Sequence, residues 1–207
     1  MRVLVFGAST VQGFWDSQGG WADRLKKHYD EIQLQDLSKD IPHVMNLGIS
    51  ADGSAELLKR IGSECEARQN KKGLTVLVSI GSNSAAIANG QPVASVEQYK
   101  SEMAEIITAA KRYTAKVMLV GLPVVDESKT TPLPWADWYY KNDRIAEFEG
   151  AAKQLAEEQE IPFVPVHQAM SESRENLNAG DGLHPNDAGH QLIFELVQPE
   201  LDKLLTS

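Results

Sequence analysis

The segment RVLVFGASTVQG, residues 2–13, joins a short apolar run to a turn that two glycines bracket. The run at residues 3–6 is short and partly β-branched, which is typical of a strand buried on both faces. The glycines then allow a tight passage into a helix, and Ser9 lies at its apex. Backbone N–H groups at such a place stabilise negative charge, but a serine there is also a common helix cap.

Four more apolar runs follow, and segments with helical periodicity lie between them. The predicted strands are residues 3–6, 44–47, 74–80, 117–120 and 162–166, and the predicted helices are 21–29, 55–68, 96–113, 142–158 and 186–205. This alternation favours right-handed crossovers and a parallel sheet that is covered on both faces. We therefore predict an α/β fold, a three-layer α/β/α sandwich, with residues 1–207 as a single domain.

The composition and charge bear on the partners and the location of the protein. The 207 residues carry a net charge of -9, which disfavours binding to nucleic acid or to an anionic membrane. No apolar stretch is long enough for a membrane span, and the first apolar run is too short for a signal-peptide core. The single cysteine, Cys65, is compatible with a reducing compartment. We expect an unexported, cytoplasmic protein.

Glycine and asparagine follow the next two predicted strands. Gly48 comes after the second strand, and Asn83 comes after the third, in the run Gly-Ser-Asn-Ser. Because ligands of parallel α/β sheets bind outside the carboxyl ends of the strands, both residues lie where chemistry is expected. The N–H of Gly48 and the amide of Asn83 could donate to an oxyanion, although glycines and asparagines also end strands for structural reasons.

The strongest local signal is Asp181-Gly-Leu-His184, in a turn just before the last predicted helix. A carboxylate three residues before an imidazole can accept a hydrogen bond from Nδ1, which leaves Nε2 free as a base. The same spacing recurs at residues 40–43 and 187–190. We expect the first of these pairs on the wrong side of the sheet and the second as a solvated pair within the last helix.

Two other features bear on function. No cysteine or histidine cluster has the spacing of a metal site, so we predict no metal. Residues 122–140 form a long connection with three prolines, which ends in Trp135, Trp138, Tyr139 and Tyr140. This segment is either a substrate-facing loop or an aromatic cover over a seam between helix and sheet, and its composition favours neither.

In chain order, the motifs around Ser9, Gly48 and Asn83 and the pair Asp181 and His184 resemble those of the SGNH, or GDSL-type, hydrolases. The resemblance spans nearly the whole chain. It implies a flavodoxin-like five-stranded parallel sheet, no cofactor, and a small-molecule acyl ester as substrate. The ester would be a short-chain or carbohydrate acetyl ester, with thioesters as a related class.

The same resemblance implies a role for each residue. Ser9 would attack the ester carbonyl and form an acyl-serine intermediate, with His184 as general base and then acid, and with Asp181 orienting the imidazole. The backbone N–H groups of Ser9 and Gly48 and the amide of Asn83 would form the oxyanion hole.

The chain departs from the family pattern at two positions, because Ala8 and Ser84 stand where the family usually has aspartates. Two alternatives therefore stay open. One is a degenerate hydrolase that binds an acylated ligand without cleaving it. The other is a flavodoxin-like module that holds a phosphate with residues 7–13, but it lacks the known glycine-rich fingerprints and gives no role to Asp181 and His184.

Overall fold

The computed structural model describes residues 1–206. The strands are β1 (Arg2–Gly7), β2 (His43–Gly48), β3 (Leu74–Ser79), β4 (Ile87–Ala88), β5 (Gln91–Pro92), β6 (Val117–Val120), β7 (Trp138–Tyr139) and β8 (Phe163–Val164). The helices are α1 (Ser9–Gln12), α2 (Trp21–Gln35), α3 (Ser54–Arg68), α4 (Val96–Lys111), α5 (Glu127–Thr130), α6 (Asn142–Glu158), α7 (Val166–Glu172) and α8 (Asp187–Thr206). None of the helices within these residues is long and apolar enough to cross a membrane.

The central sheet has five parallel strands in the order β2-β1-β3-β6-β8. This is the flavodoxin-like order, in which the winding of the chain reverses between β1 and β3. Ligands bind at this reversal, beyond the carboxyl ends of the strands. Ser9 follows β1 and therefore lies at this reversal.

The side chains of the sheet alternate between two helix layers. Val3 and Val5 pack with the apolar faces of α2 and α8. Leu4 and Phe6 pack on the opposite face with α3, α4 and α6. The predicted three-layer α/β/α fold is confirmed, since each strand residue serves one layer or the other.

The structure adds elements that periodicity did not predict. Strands β4, β5 and β7 form a small antiparallel sheet, and α5 and β7 lie within the segment 122–140. The last predicted strand, residues 162–166, is only Phe163–Val164, because Val166 already begins α7. Strands of two residues are too short to show an alternation of apolar and polar residues in the sequence.

Candidate active site

Ser9 is held in a tight turn between β1 and α1. A Cβ on Gly7 would lie 2.3 Å from both Ser79 O and Val11 Cγ2, so only glycine lets the turn lie this close to β3. The helix ends at Gln12, and the next residue, Gly13, has a left-handed φ of 92°. The N–H of Ser9 is in the first turn of the helix, where it has no acceptor within the helix.

The structure brings Ser9, His184 and Asp181 into one hydrogen-bonded line. His184 Nε2 lies 2.8 Å from Ser9 Oγ, and His184 Nδ1 lies 2.6 Å from Asp181 Oδ2. The other carboxylate oxygen, Oδ1, accepts the backbone N–H of Leu183 at 2.9 Å and of His184 at 3.1 Å. The carboxylate therefore folds back onto the imidazole, as the spacing predicted.

The environment of Asp181 keeps its carboxyl ionised. Burial acts to raise the pKa, but the hydrogen bonds from the side chain and backbone of His184 and from Leu183 outweigh burial and hold the pKa below 3.8. A carboxylate that stays negative stabilises a positively charged imidazole next to it. Asp181 is therefore suited to support a base.

Asn83 lies beyond β3 with its amide fixed in orientation. Its Nδ2 donates to Asp52 O at 2.9 Å, and its Oδ1 accepts the hydroxyl of Tyr140 at 2.9 Å. Burial raises the pKa of Tyr140 to about 12, so this hydroxyl stays a donor at neutral pH. An amide nitrogen carries two hydrogens, and the second remains for an oxyanion.

Gly48 is the predicted site residue that the structure places elsewhere. Its N–H donates to Asn46 Oδ1 at 3.1 Å. A Cβ on Gly48 would lie 2.4 Å from Gln12 N and 2.8 Å from Ala8 O. Gly48 is therefore needed for the close approach of β2 to the turn at Ser9, and its prediction as an oxyanion donor is wrong.

The chain reaches the site three residues later, at Ala51. Ala51 lines the same cavity as Ser9 and Asn83. Its φ of 69 is in the left-handed region that favours glycine. Within residues 1–206 the N–H of Ala51 makes no backbone or side-chain hydrogen bond, so it is free to donate into the cavity.

Arg60 ties the loop of Ala51 to the turn at Ser9. Its Nε donates to Asp52 Oδ2 at 2.8 Å, and its Nη2 donates to Gly7 O at 3.2 Å. Asp52 follows Ala51 directly, and Gly7 ends β1. One guanidinium therefore holds the loop of Ala51 and the turn at Ser9 in place relative to each other.

Two cavities border Ser9 and His184. The larger has a volume of about 530 Å³ and a mainly apolar and aromatic wall, formed by Phe14, Trp15, Leu133, Trp135, Trp138 and Tyr140 among others. The smaller, of about 20 Å³, extends between the ends of β3 and β6 to Leu122 and Pro123. Three of the four aromatic residues of the segment 122–140, Trp135, Trp138 and Tyr140, thus line the larger cavity, while Leu133 and Tyr140 also pack into the core.

The sequence profile of the GDSL-like Lipase/Acylhydrolase family matches residues 5–192. The chain belongs to this family. The resemblance found in the sequence is confirmed, and the protein is a carboxylic ester hydrolase.

Relatives of this GDSL-family chain include proteins that are named as esterases or esterase homologues. It is 23% identical to the mouse isoamyl acetate-hydrolyzing esterase 1 homolog, over 100% of this chain and 83% of that protein. A lipase/acylhydrolase from Enterococcus faecalis superposes with a TM-score of 0.77 at 20% identity, over 98% of this chain and 95% of that one. The acetylxylan esterase Axe2 from Geobacillus stearothermophilus gives 0.73 at 18% identity, over 97% and 93%. At these identities the structural matches show a shared fold.

The two departures from the GDSL-family pattern have different surroundings. Ala8 packs against the apolar cluster on the α3 side of the sheet. Ser84 is buried, and its hydroxyl accepts the N–H of Ser54 at 3.0 Å and lies 2.9 Å from Ser54 Oγ. The hydroxyl of Ser54 in turn donates to Glu102. Ser84 therefore keeps a polar link between the loop of Asn83 and the start of α3.

Trp15 and His190 belong to the surroundings of the site, although their sequence contexts did not indicate this. Trp15 Nε1 donates to Asp181 Oδ2 at 2.6 Å. His190 is buried, and its Nε2 lies 3.1 Å from Phe14 O. The prediction of a solvated pair at residues 187–190 is wrong, because Asp187 binds Ser17 instead.

Residues 1–206 hold no cluster of three or more side chains placed to bind a metal.

Proposed function

We propose that Ser9, His184 and Asp181 act as a catalytic triad that hydrolyses short acyl esters through an acyl-serine intermediate. The observation that carries this proposal is the line of hydrogen bonds from Asp181 Oδ2 through the imidazole to Ser9 Oγ, at 2.6 and 2.8 Å. Nucleophile, base and orienting group have the mutual geometry that acyl transfer requires.

The reaction follows from these contacts. Ser9 Oγ attacks the ester carbonyl carbon while His184 Nε2 takes the hydroxyl proton. The tetrahedral oxyanion accepts hydrogen bonds from the N–H of Ser9, the N–H of Ala51 and Asn83 Nδ2. His184 then gives the proton to the alcohol oxygen, and the C–O bond breaks. Water next attacks the acyl carbon, passes its proton through Nε2 back to Ser9 Oγ, and releases the acid.

The unequal cavities support an ester with a short acyl group and an apolar alcohol. The recess of about 20 Å³ holds little more than a methyl group beyond the carbonyl. The cavity of about 530 Å³ has a wall of tryptophan, phenylalanine and leucine side chains, which suits an apolar or aromatic alcohol better than a sugar. A relative named for isoamyl acetate hydrolysis agrees with this choice.

The triad is tested by turnover of p-nitrophenyl acetate with the parent protein, Ser9→Ala and His184→Ala. Each substitution should lower kcat by several orders of magnitude, because serine and histidine act as a unit. A fluorophosphonate should label Ser9 covalently in the parent and not in Ser9→Ala. Unchanged rates in both variants would refute the mechanism, and an intact fold without labelling would support a binding module instead.

The substrate class is tested by a pair of isomeric esters. Phenethyl acetate has a short acyl group and a bulky alcohol, and methyl hydrocinnamate has the same atoms with the ester reversed. We expect kcat/KM to be at least about tenfold higher for phenethyl acetate, since one or two misplaced methylene-sized groups already cost that much. A preference for the reversed ester, or for an acetylated xylose, would contradict the assignment.

We further infer one domain over residues 1–207 and a cytoplasmic location. The family profile extends over residues 5–192, and both helix layers pack on one sheet, which supports the single domain. Cys65 is buried, and burial raises its thiol pKa to about 11, so it stays a protonated packing residue. A lone reduced thiol suits a reducing compartment. Localisation of a tagged full chain by microscopy and fractionation tests this inference.

A further inference from the structure

Trp15 lies between α1 and α2, at the mouth of the larger cavity, and its indole reaches the acid of the proposed triad. Its Nε1 donates to Asp181 Oδ2 at 2.6 Å. The same oxygen accepts His184 Nδ1, also at 2.6 Å. The indole meets the imidazole edge-on, with 6.4 Å between the ring centres. Trp15 therefore contacts both members of the acid–base pair, although it is 63% exposed.

The loop around Trp15 is held in the conformation that makes this contact. Trp15 has a φ of 63, a left-handed conformation that costs free energy for a bulky residue and persists only where its surroundings enforce it. On one side, His190 Nε2 donates to Phe14 O at 3.1 Å. On the other side, Arg24 donates to both carboxylate oxygens of Asp16, at 2.6 and 3.0 Å. The indole is thus aimed at Asp181 by its backbone.

We propose that Trp15 is a positioning residue for Asp181, and through Asp181 for His184. This inference rests on the proposed triad. A second N–H on Oδ2 fixes the rotation of the carboxylate and takes part of its negative charge. Without the indole, the carboxylate of Asp181 rotates more freely. It also keeps more of its negative charge, so it stabilises the protonated imidazole of His184 more strongly. Trp15 therefore affects both the alignment of the base and the pH at which it becomes available.

Trp135 provides a matched control. It lines the same cavity and is 61% exposed, close to the value for Trp15. In the part of the chain that the structure describes, residues 1–206, its indole nitrogen has no hydrogen-bond partner. Replacing either tryptophan with phenylalanine keeps an aromatic wall, but only Trp15→Phe removes a hydrogen bond to Asp181.

The experiment measures kcat and KM for p-nitrophenyl acetate across acidic and neutral pH in the parent, Trp15→Phe and Trp135→Phe. Trp15→Phe should lower kcat about tenfold with KM within about twofold, because alignment is lost while the cavity remains. The acidic limb of the kcat/KM profile should move to higher pH by about half a unit. The NMR signal of the His184 Nδ1 proton should shift in this variant only. Trp135→Phe should leave the limb and the signal unchanged.

Several results would overturn the proposal. One is an acidic limb and a kcat that are both unchanged in Trp15→Phe, and another is an equal shift of the limb in Trp135→Phe. A third is an effect of Trp15→Phe on KM alone, which would mean that Trp15 only forms part of the cavity wall. Trp15→Gly suits the left-handed backbone and repeats the test if the phenyl ring disturbs the loop. It should show the same limb shift with a higher KM. Ser9→Ala tests the triad independently, so failure of the triad and failure of the Trp15 role are distinguishable.

Discussion

Replacing Asn83 with alanine tests the proposed oxyanion hole most directly, because it removes a side-chain donor and leaves the proposed triad in place. Removal of one such donor typically lowers kcat by about 100- to 1000-fold, or about 2.7 to 4 kcal/mol of transition-state stabilisation. The loss should fall in kcat, since the bond strengthens as charge develops on the carbonyl oxygen.

The same substitution should also lower stability. Asn83 donates to Asp52 O and accepts from the Tyr140 hydroxyl, both at 2.9 Å. At about 1 kcal/mol for each hydrogen bond, the free energy of unfolding should fall by about 2 kcal/mol. Urea unfolding at neutral pH measures this loss separately from turnover.

Tyr140→Phe is the matched control for Asn83→Ala. It removes one hydrogen bond to the amide oxygen but leaves Nδ2 held by Asp52 O. We expect a stability loss of about 1 kcal/mol and a kcat loss below about tenfold. If Asn83→Ala keeps kcat within about fivefold of the parent, or if its whole effect lies in KM, the amide does not stabilise the transition state.

Two further predictions concern Ala51 and His190. Ala51→Gly should raise the free energy of unfolding by about 0.5 kcal/mol in urea, because relief of about 1 to 2 kcal/mol of left-handed strain exceeds the cost of added chain flexibility. The N–H is kept, so a loss of kcat/KM beyond about tenfold would contradict its role as donor. Burial lowers the pKa of His190 below 6.5, so the unfolded chain takes up a proton that the folded protein resists. As the pH falls from about 7.5 to about 5.5, the free energy of unfolding should therefore fall by up to about 1.4 kcal/mol. His190→Gln should lack this contribution, and an equal pH dependence of urea unfolding in that variant would refute the assignment.

The sheet and the hydrogen-bonded arrangement of Ser9, Asp181 and His184 could be predicted because each depends on a local signal. Apolar runs such as residues 74–80 identify buried strands, and the alternation with helices determines the layers. Functional residues of such a sheet lie just beyond the carboxyl ends of its strands, and this rule pointed to Ser9 and Asn83. Asp181 and His184 lie three residues apart in one turn, so their contact at 2.6 Å needs no long-range information.

The oxyanion loop shows where such signals fail. Gly48 ends β2 and was therefore the expected donor, but the chain continues to Ala51 before it turns into the cavity. Alanine is unusual in a left-handed conformation, so its side chain gives no hint of the φ of 69 that it adopts. The glycine that sequence reasoning selected instead serves a close backbone approach, with Gln12 N only 2.4 Å from its would-be Cβ.

Long-range polar contacts were equally inaccessible from the sequence. Trp15 and Asp181 are 166 residues apart, and His190 and Phe14 are 176 apart. A hydrogen bond between such pairs depends on how α2 and α8 pack on the sheet, and no local pattern reports that. The spacing at residues 187–190 was therefore misassigned as a surface pair.

The replacement of the family aspartate by Ala8 has a physical consequence for how the turn at Ser9 is held. An aspartate at the N-cap would accept the N–H of the second or third residue of α1, whereas Ala8 makes no side-chain cap. The turn is instead held from outside, since Asn46 Nδ2 donates to Val11 O at 2.8 Å and Arg60 Nη2 donates to Gly7 O at 3.2 Å. The support that an N-cap side chain would give to this turn therefore comes from neighbouring elements, the strand β2 and the helix α3.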